Sequence, residues 1–237
     1  MSGPIAVLVT CEHAGRRVPE RHQSLFEDRP HLLDTHRAWD PGALAIARAL
    51  SVRLEAPLFT VRVTRLLVDT NRSPGNPRMW SELSRRLPRH ERDRLLRQVH
   101  QPHWRRVQRW IAERVEAGRR VVHIGSHTFT PILDEVERRC DVGVLFDPSR
   151  GFEREIAGRL VDELRARLPD LGIRRNAPYR GIDDGLTRGM RRRFAAVDYA
   201  GIELEVSQRF VRGPRRAWRR VRDDVVEALG AALGHSA

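Results

Sequence analysis

The sequence predicts a three-layer α/β/α fold around a mixed, largely parallel sheet. Short apolar runs typical of buried strands alternate along the chain with longer amphipathic stretches typical of helices. Hydrophobic residues make up 40% of the 237 positions, which suffices for one large core. Since no repeat, linker or low-complexity block divides this pattern, we expect a single domain over residues 1–237.

Capping and helix-breaking residues mark the predicted helices and loops in the first half of the chain. Asp40 suits the N-cap of a helix and Pro41 its first turn, while Gly118 suits the end of a second helix that Pro102 interrupts. The Pro/Gly-rich run 73–77 predicts a loop and a candidate lid. We predict strands over 5–10, 58–63 and 66–68 and helices over 41–54 and 91–117.

The second half continues the same alternation. Pro169 ends a predicted helix, and residues 176–193, which are rich in Gly and Arg, predict a long loop region. We predict strands over 121–125, 142–146 and 201–206 and helices over 153–168 and 214–230.

The charge of the chain has a compositional origin. The formal net charge is +13, and all 44 basic residues are arginine, a bias typical of GC-rich coding. Because these arginines are scattered among 31 acidic residues, we expect non-specific attraction to polyanions at low salt but no specific nucleic-acid partner.

The lengths of the apolar runs and the number of cysteines indicate in which cellular compartment the protein acts. No apolar run approaches the roughly 18 residues of a membrane span, and residues 1–10 lack the features of a signal peptide. Cys11 and Cys140 are too few for a disulfide framework or a four-cysteine zinc site. We therefore expect a cytoplasmic enzyme without a membrane partner; the sequence leaves the oligomeric state open.

Three polar residues stand at the ends of predicted strands. His13 follows the first apolar run, His127 follows the run 121–125, and Glu205 lies at the end of the run 201–206. In open α/β sheets the carboxyl ends of the strands line the ligand crevice. Two imidazoles and a carboxylate placed there predict a metal site with a general base, and therefore a hydrolase.

Each imidazole has a polar neighbour in the sequence. Glu12 suits a partner that orients the adjacent imidazole, and Ser126 precedes His127 in a polar Ser-His-Thr run. A lone histidine after a strand is alternatively a turn residue without a role, and Glu12 a solvated carboxylate. The second histidine in an equivalent position favours the metal interpretation.

A carboxylate is the expected third metal ligand. Asp34, His36 and Asp40 lie in one polar run, and two histidines with one carboxylate are the usual make-up of a hydrolytic zinc site. Asp40 alternatively serves only as a helix cap, and the other two as loop polarity.

Two glutamates share the last predicted strand. Alternation puts Glu203 and Glu205 on one face and the apolar residues on the other. A carboxylate in a buried strand is costly unless it is paired or linked to a metal, and a glutamate near zinc can accept the proton of the attacking water. An edge strand with one solvated face is the alternative.

Three side chains are candidates for holding a substrate carboxylate. Asn71 and Arg72 follow the predicted strand pair, and Arg188 lies in the Gly-rich loop region. A planar guanidinium can bind a carboxylate through two parallel hydrogen bonds. Arg72 alternatively pairs with Asp69 within a turn.

Five motifs, in order along nearly the whole chain, resemble the N-formylglutamate amidohydrolase family. They are Cys-Glu-His-Ala-Gly at 11–15, His-x-x-x-Asp at 36–40 followed by Pro-Gly-Ala, Arg-Leu-Leu-Val-Asp-Thr-Asn-Arg at 65–72, Ser-His-Thr at 126–128 and Glu-Leu-Glu at 203–205. The resemblance implies a fold similar to zinc-dependent carboxypeptidases and aspartoacylases. It also implies hydrolysis of N-formyl-glutamate, or a related N-acyl amino acid, to formate and glutamate in histidine breakdown.

The resemblance assigns roles position by position. Glu205 is implied as the general base, with Glu203 as the alternative, because the Gln208-Arg209 run fits the pattern better from Glu205. The implied ligands of one Zn²⁺ ion are His13, Asp40 and His127. The implied substrate-binding residues are Asn71, Arg72 and Arg188.

The chain departs from these families at two points. Arg16 stands where zinc carboxypeptidases have a ligand glutamate, so Asp40 has to supply the carboxylate. Glu-His-Ala-Gly stands where better-known deformylases have Pro-His-Ser-Gly, which indicates a divergent branch. The alternatives are an amidase for another N-acyl amino acid or a cell-wall fragment, and a basic, metal-free protein that binds nucleic acid or another polyanion on the same fold.

Overall fold

A computed structural model describes residues 3–235 of the chain. The strands are β1 (Ile5–Cys11), β2 (Leu58–Thr60), β3 (Arg120–Phe129), β4 (Ile132–Leu133), β5 (Val136–Glu137), β6 (Val142–Leu145), β7 (Ile173–Arg175) and β8 (Tyr199–Ser207). The α-helices are α1 (Ala43–Arg53), α2 (Arg89–Leu95), α3 (Gln101–Glu116), α4 (Gly151–Arg167), α5 (Leu186–Arg191), α6 (Gln208–Arg212) and α7 (Arg215–Ala232).

The main sheet has six strands in the order β2-β1-β3-β8-β6-β7. The first four strands of this order are parallel to one another, β6 runs antiparallel to β8, and β7 is parallel to β6. The predicted mixed, largely parallel sheet is thereby confirmed. Strands β4 and β5 form a separate antiparallel hairpin that the sequence analysis did not predict.

Helices cover both faces of the sheet, as the three-layer prediction requires. Helices α1, α4 and α7 pack on one face, where Ile46, Leu160 and Leu229 are fully buried. Helices α3 and α5 pack on the other face through Val107 and Met190. The sheet therefore holds two cores, one on each side.

A third apolar cluster lies among the irregular segments from which Asp40 and Asp69 enter the site. It includes Phe26, Leu67 and Met79, all buried. The predicted strand at 66–68 is wrong, because Leu66 and Leu67 lie in a turn and Val68 lies in the irregular segment after it. Their apolar side chains enter this cluster, so the hydrophobic run reflects burial rather than strand pairing.

The start of α1 differs from the prediction. The helix begins at Ala43, with Gly42 at its N-cap and a φ of +89°, so Asp40 does not cap it. A Cβ at Gly42 would lie 2.6 Å from Val211, which leaves room only for glycine. The chain thus turns sharply after Pro41, and the Asp40 carboxylate is free to point elsewhere.

Several other strands and helices begin or end at residues different from those predicted, because strand pairing and packing set their length in the fold. The strand predicted over 58–63 is only three residues long, and the one predicted over 121–125 continues to Phe129. A π-helical stretch, Leu96–His100, precedes α3 where a break near Pro102 was predicted. The loop region 176–193 contains α5, and β7 was not predicted.

None of the helices within residues 3–235 is both long and apolar enough to cross a membrane.

Candidate active site

The carboxyl ends of the central parallel strands bring the predicted site residues to one crevice. His13 follows β1, His127 lies near the end of β3, and Glu203 and Glu205 lie on β8. All four line one cavity of about 460 Å³, together with Asp40. The sheet edge therefore gathers residues that are up to 192 positions apart (205 − 13) in the sequence.

His13, Asp40 and His127 form a tight buried cluster, which we call the His/Asp/His cluster. Their candidate ligand atoms all lie within 4.8 Å of one another. Asp40 Oδ2 is 3.2 Å from His13 Nδ1 and 3.0 Å from His127 Nδ1. Two imidazole nitrogens and one carboxylate oxygen therefore converge on one point, the donor set that suits a divalent transition metal.

The acidic residues around the His/Asp/His cluster favour a positive charge on its two histidines. Burial and Arg65 oppose protonation of His13, but Asp40 and Asp69 outweigh them and raise its pKa. Burial likewise opposes protonation of His127, yet the hydrogen bond to Asp40 and the nearby Glu12 carboxylate raise its pKa well above its usual range. The same acidic neighbours that favour a positive charge on these imidazoles surround the point where the nitrogens converge, so the residues present fit a bound cation.

Asp69 was not among the residues predicted for the candidate metal site, but it lies directly behind His13. Asp69 Oδ1 is 2.7 Å from His13 Nε2, on the far side of the ring from the cluster. Arg65 spans both acids, since its Nη2 donates to Asp69 Oδ2 at 2.9 Å and its Nη1 to Asp40 Oδ1 at 3.4 Å. A carboxylate in this position fixes the ring and its tautomer, leaving Nδ1 free for a metal.

Glu12 orients a different imidazole from the adjacent one that we expected. Its Oε2 lies 3.2 Å from His127 Nε2, and its Oε1 lies 3.0 Å from His103 Nε2 on α3. Despite complete burial, these two imidazoles hold the pKa of Glu12 well below its usual range. His103 was not identified from the sequence; the only signal was its helical spacing with His100 and Val107 on the buried side of the helix.

The other residues that the sequence analysis considered beside the proposed metal ligands lie outside the His/Asp/His cluster. Ser126 Oγ donates to the main-chain oxygen of Ala43 at 3.0 Å, so it ties β3 to the start of α1 rather than to an imidazole. Asp34 forms an ion pair with Arg16 near the surface. Of the polar run that was considered for the third ligand, only Asp40 joins the two histidines.

Glu205 is a buried carboxylate beside the cluster. Its Oε2 atom has no hydrogen-bond partner among the described residues, although the residue lines the cavity. Burial, with help from Asp40 and Glu203, raises the pKa of Glu205 to about 8, against the opposing influence of His127. A carboxyl group of this kind can exchange a proton near neutral pH, as general acid–base catalysis requires.

Glu203 differs from Glu205 in its partners. Its Oε1 accepts a hydrogen bond of 2.9 Å from Thr187 Oγ1, and it is less buried than Glu205. The two carboxylates share one face of β8, as the alternation predicted, but only Glu205 has a buried carboxylate oxygen without a hydrogen-bond partner among the described residues.

The candidate carboxylate-binding residues all line the same cavity, yet they are engaged to different degrees. Asn71 Oδ1 accepts from Leu186 N at 2.9 Å. Arg72 Nη1 donates to the main-chain oxygen of Asp184 at 2.6 Å, and Arg72 Nε faces Asp69 at 3.7 Å. The guanidinium of Arg188, on α5 rather than in a loop, has no hydrogen bond or ion pair within residues 3–235.

An α/β sheet with two imidazoles, convergent carboxylates and an unpartnered glutamate at its carboxyl edge defines the site of a hydrolase. The family model of N-formylglutamate amidohydrolase matches residues 5–211, and the chain belongs to this family of amide-bond hydrolases. No curated protein matches the chain.

Two crystal structures share the fold. Gene product Atu2144 from Agrobacterium tumefaciens is 31% identical to the chain, with a TM-score of 0.81 over 96% of this chain and 90% of that one. N-formylglutamate amidohydrolase from Ralstonia eutropha JMP134 is 16% identical, with a TM-score of 0.66 over 98% of this chain and 95% of that one. At that lower identity the likeness is one of fold.

Proposed function

We propose that the protein is a zinc-dependent amidohydrolase that hydrolyses N-formyl-L-glutamate, or a closely related N-acyl amino acid, to formate and L-glutamate. The observation that carries this proposal is the unpartnered Oε2 of buried Glu205 beside the His/Asp/His cluster. Membership of the N-formylglutamate amidohydrolase family supports the reaction class.

His13, Asp40 and His127 would hold the metal ion. Zn²⁺ in such a site supplies a Lewis acid for the amide carbonyl and a water whose pKa is lowered toward about 7. Asp69 and Glu12 hold the two rings from behind, so that both Nδ1 atoms face the same point.

Glu205 moves the proton in this reaction. Its Oε2 accepts a proton from the attacking water as the new C–O bond forms at the acyl carbon. The same oxygen then protonates the amide nitrogen as the C–N bond breaks, which releases formate and the amino acid. Because burial raises the pKa of this group toward the neutral range, to about 8, the group can both take up and release a proton near neutral pH, as the two steps require.

The amino-acid half of the substrate is held on the arginine-lined side of the cavity. Arg188 is free to bind a carboxylate, and Asn71 keeps its amide nitrogen available while its oxygen is engaged. Arg72 contributes positive charge, although its guanidinium already faces Asp69 and Asp184. The substrate in this proposal is a small molecule. We also propose that the protein acts in the cytoplasm.

A panel of N-acyl amino acids tests the proposal directly. The zinc-loaded protein should release amino acid from N-formyl-glutamate with a higher kcat/KM than from N-acetyl-glutamate, N-formyl-glutamine or N-formyl-methionine. Preference for a longer acyl group would redirect the proposal to another N-acyl amino acid. If the metal-loaded protein hydrolyses none of these compounds, the proposed function is wrong.

A further inference from the structure

Two irregular segments are joined beside the cavity by four hydrogen bonds, which we call the Asp184 junction. The donors and acceptors are Leu186 N to Asn71 Oδ1 (2.9 Å), Arg72 Nη1 to the main-chain oxygen of Asp184 (2.6 Å), Ser73 N to Asp184 Oδ2 (3.0 Å) and Asn76 Nδ2 to Asp184 Oδ2 (2.6 Å). Asp184 takes part in three of the four, and it lies 108 residues from Asn76 in the sequence.

The carboxylate of Asp184 is the centre of the junction. Burial alone would raise its pKa, but the hydrogen bonds from Ser73 and Asn76 hold it below its usual range. Hydrogen bonds to an ionised carboxylate are stronger than those between neutral groups. The junction therefore fixes segment 71–76 relative to the start of α5.

Arg78 projects from a short turn that is fixed on both sides. On one side, Asn76 Oδ1 accepts from Arg78 N at 2.9 Å while Asn76 Nδ2 is bound to Asp184. On the other side, Met79 is buried in the third apolar cluster. The backbone of Arg78 is thus anchored although its side chain is exposed.

The arginines that line the cavity divide into engaged and free groups. Arg65, Arg72 and Arg180 are engaged by acidic or main-chain oxygens, Arg180 by Asp183 at 2.9 Å. The guanidinium groups of Arg78 and Arg188 have no hydrogen bond or ion pair in the described part of the chain. These two are the planar forks available to a bound anion.

We propose that Arg78 is a specificity-determining residue, which binds the side-chain carboxylate of an N-acyl acidic amino acid while Arg188 binds the α-carboxylate, and that Asp184 positions Arg78 through Asn76. This inference rests on the proposed amidohydrolase function. It adds which side chain reads the second carboxylate of that substrate, because two separate cationic forks match two separate carboxylates.

N-formyl-glutamate and N-formyl-glutamine provide the matched pair of substrates, since they differ only in the charge of the side-chain end. Arg78→Ala should raise KM for N-formyl-glutamate about tenfold or more, because a charge-assisted contact is lost. It should leave KM for N-formyl-glutamine within about twofold, so the preference of the wild type for the diacid collapses.

Arg180→Ala is the control, because Arg180 lines the same cavity but is paired with Asp183. It should leave the preference unchanged. Asp184→Asn keeps the size of the side chain and weakens the junction. It should lower the preference with kcat retained, and it should have no further effect on the preference in an Arg78→Ala background. Circular dichroism melts of each variant confirm that the fold is intact.

Several results would overturn the inference. Equal losses on both substrates, or an equal effect of Arg180→Ala, would show that Arg78 supplies only general positive charge. An undiminished effect of Asp184→Asn in the Arg78→Ala background would show that Asp184 does not act through Arg78.

A binding measurement separates this inference from the proposed function. By calorimetry, glutarate should bind the wild type more tightly than its monoamide does, and Arg78→Ala should remove that difference. If the wild type hydrolyses none of the substrates but still binds glutarate more tightly than the monoamide, the result counts against the proposed function alone. Absence of the binding difference in an active wild type would count against Arg78.

Discussion

His127 and Glu205 are register partners on the adjacent parallel strands β3 and β8. Side chains at paired positions project to the same face of a sheet. The proposed general base is therefore held next to a proposed metal ligand by main-chain hydrogen bonds rather than by side-chain packing alone. Substitutions at either position therefore test the chemistry of the side chain, because β3 and β8 lie in the middle of the sheet and hold the backbone in place.

We expect Glu205→Gln to remove catalysis while leaving the metal bound. The amide keeps the shape of the carboxyl group but cannot accept the proton, which typically costs 10²- to 10⁴-fold in rate. Single-turnover kinetics with measurement of zinc content checks this. Glu203→Gln is the matched control on the same face of β8; if it is inactive and Glu205→Gln is fully active, the two roles must be exchanged.

His127→Ala should lose bound metal. One of three proposed protein ligands is then missing from a cluster whose atoms lie within 4.8 Å of one another. Metal analysis of protein purified without added zinc measures the effect. His36→Ala, which changes a half-buried histidine outside the cluster, should retain the metal. Equal zinc content in wild type and His127→Ala would contradict the ligand assignment.

Asp69→Asn should weaken metal binding about 10- to 100-fold without abolishing it. The substitution removes the carboxylate that lies 2.7 Å from His13 Nε2 and fixes the ring from behind. Competition with a chelator of known affinity gives the dissociation constant. An unchanged constant would mean that Asp69 supports the fold through Arg65 and does not tune the metal site.

The metal-free protein should become less stable as the pH rises from about 6.5 to 8, a range in which the histidines whose pKa is lowered, His36, His100 and His123, are neutral when folded and largely neutral when unfolded. Burial raises the pKa of Glu205 to about 8, so the folded carboxyl keeps a proton that the unfolded chain releases. The pKa values of His13 and His127 are also raised, so their stabilising contribution is likewise lost with rising pH. Each proton bound only in the folded state changes stability by up to about 1.4 kcal/mol per pH unit.

Thermal unfolding of chelator-treated protein across this pH range provides the measurement. Glu205→Gln should flatten the profile, because the amide does not titrate. A metal-free wild type whose melting temperature rises steadily toward pH 8 would show that these buried groups do not hold the extra protons.

A buried ion pair away from the proposed metal site should be important for folding. Arg191 Nε donates to both carboxylate oxygens of Glu153, at 2.9 and 3.0 Å, and both side chains are almost inaccessible to solvent. Glu153→Gln leaves the guanidinium buried without its counter-charge, which should cost about 3–5 kcal/mol in the free energy of unfolding.

Denaturant unfolding measures this cost, with Glu155→Gln on the same helix as the control. Glu155 pairs with Arg159 on the surface, and loss of such an exposed pair should cost no more than about 1 kcal/mol. Similar midpoints for the two variants would mean that the Glu153–Arg191 pair adds no net stability.

The regular alternation of strands and helices was predictable, and its errors have identifiable causes. The run 66–68 is apolar because its three residues are buried in a turn and the irregular segment after it. Periodicity alone does not distinguish such a buried segment from a short strand. Strand β7 is only three residues long, and two of them are exposed, so no hydrophobic run marked it.

The site was predictable in its residue types but not in its connections. His13, His127 and Glu205 stood out because a polar side chain near the end of an apolar strand is costly without a partner. Asp69 and His103 did not stand out, because one lies in an irregular segment and the other resembles any buried position of an amphipathic helix.

The sequence by itself determined the fold class, the strand ends that form the crevice, and the chemistry of the side chains placed there. Only the tertiary structure decided which carboxylate supports which imidazole, that Glu12 faces His127, and that Arg72 is engaged while Arg78 and Arg188 are free. The physical reason is that strand patterns follow local periodicity, whereas these polar contacts join segments about 55 to 115 residues apart, whose approach is set by the packing of the whole sheet.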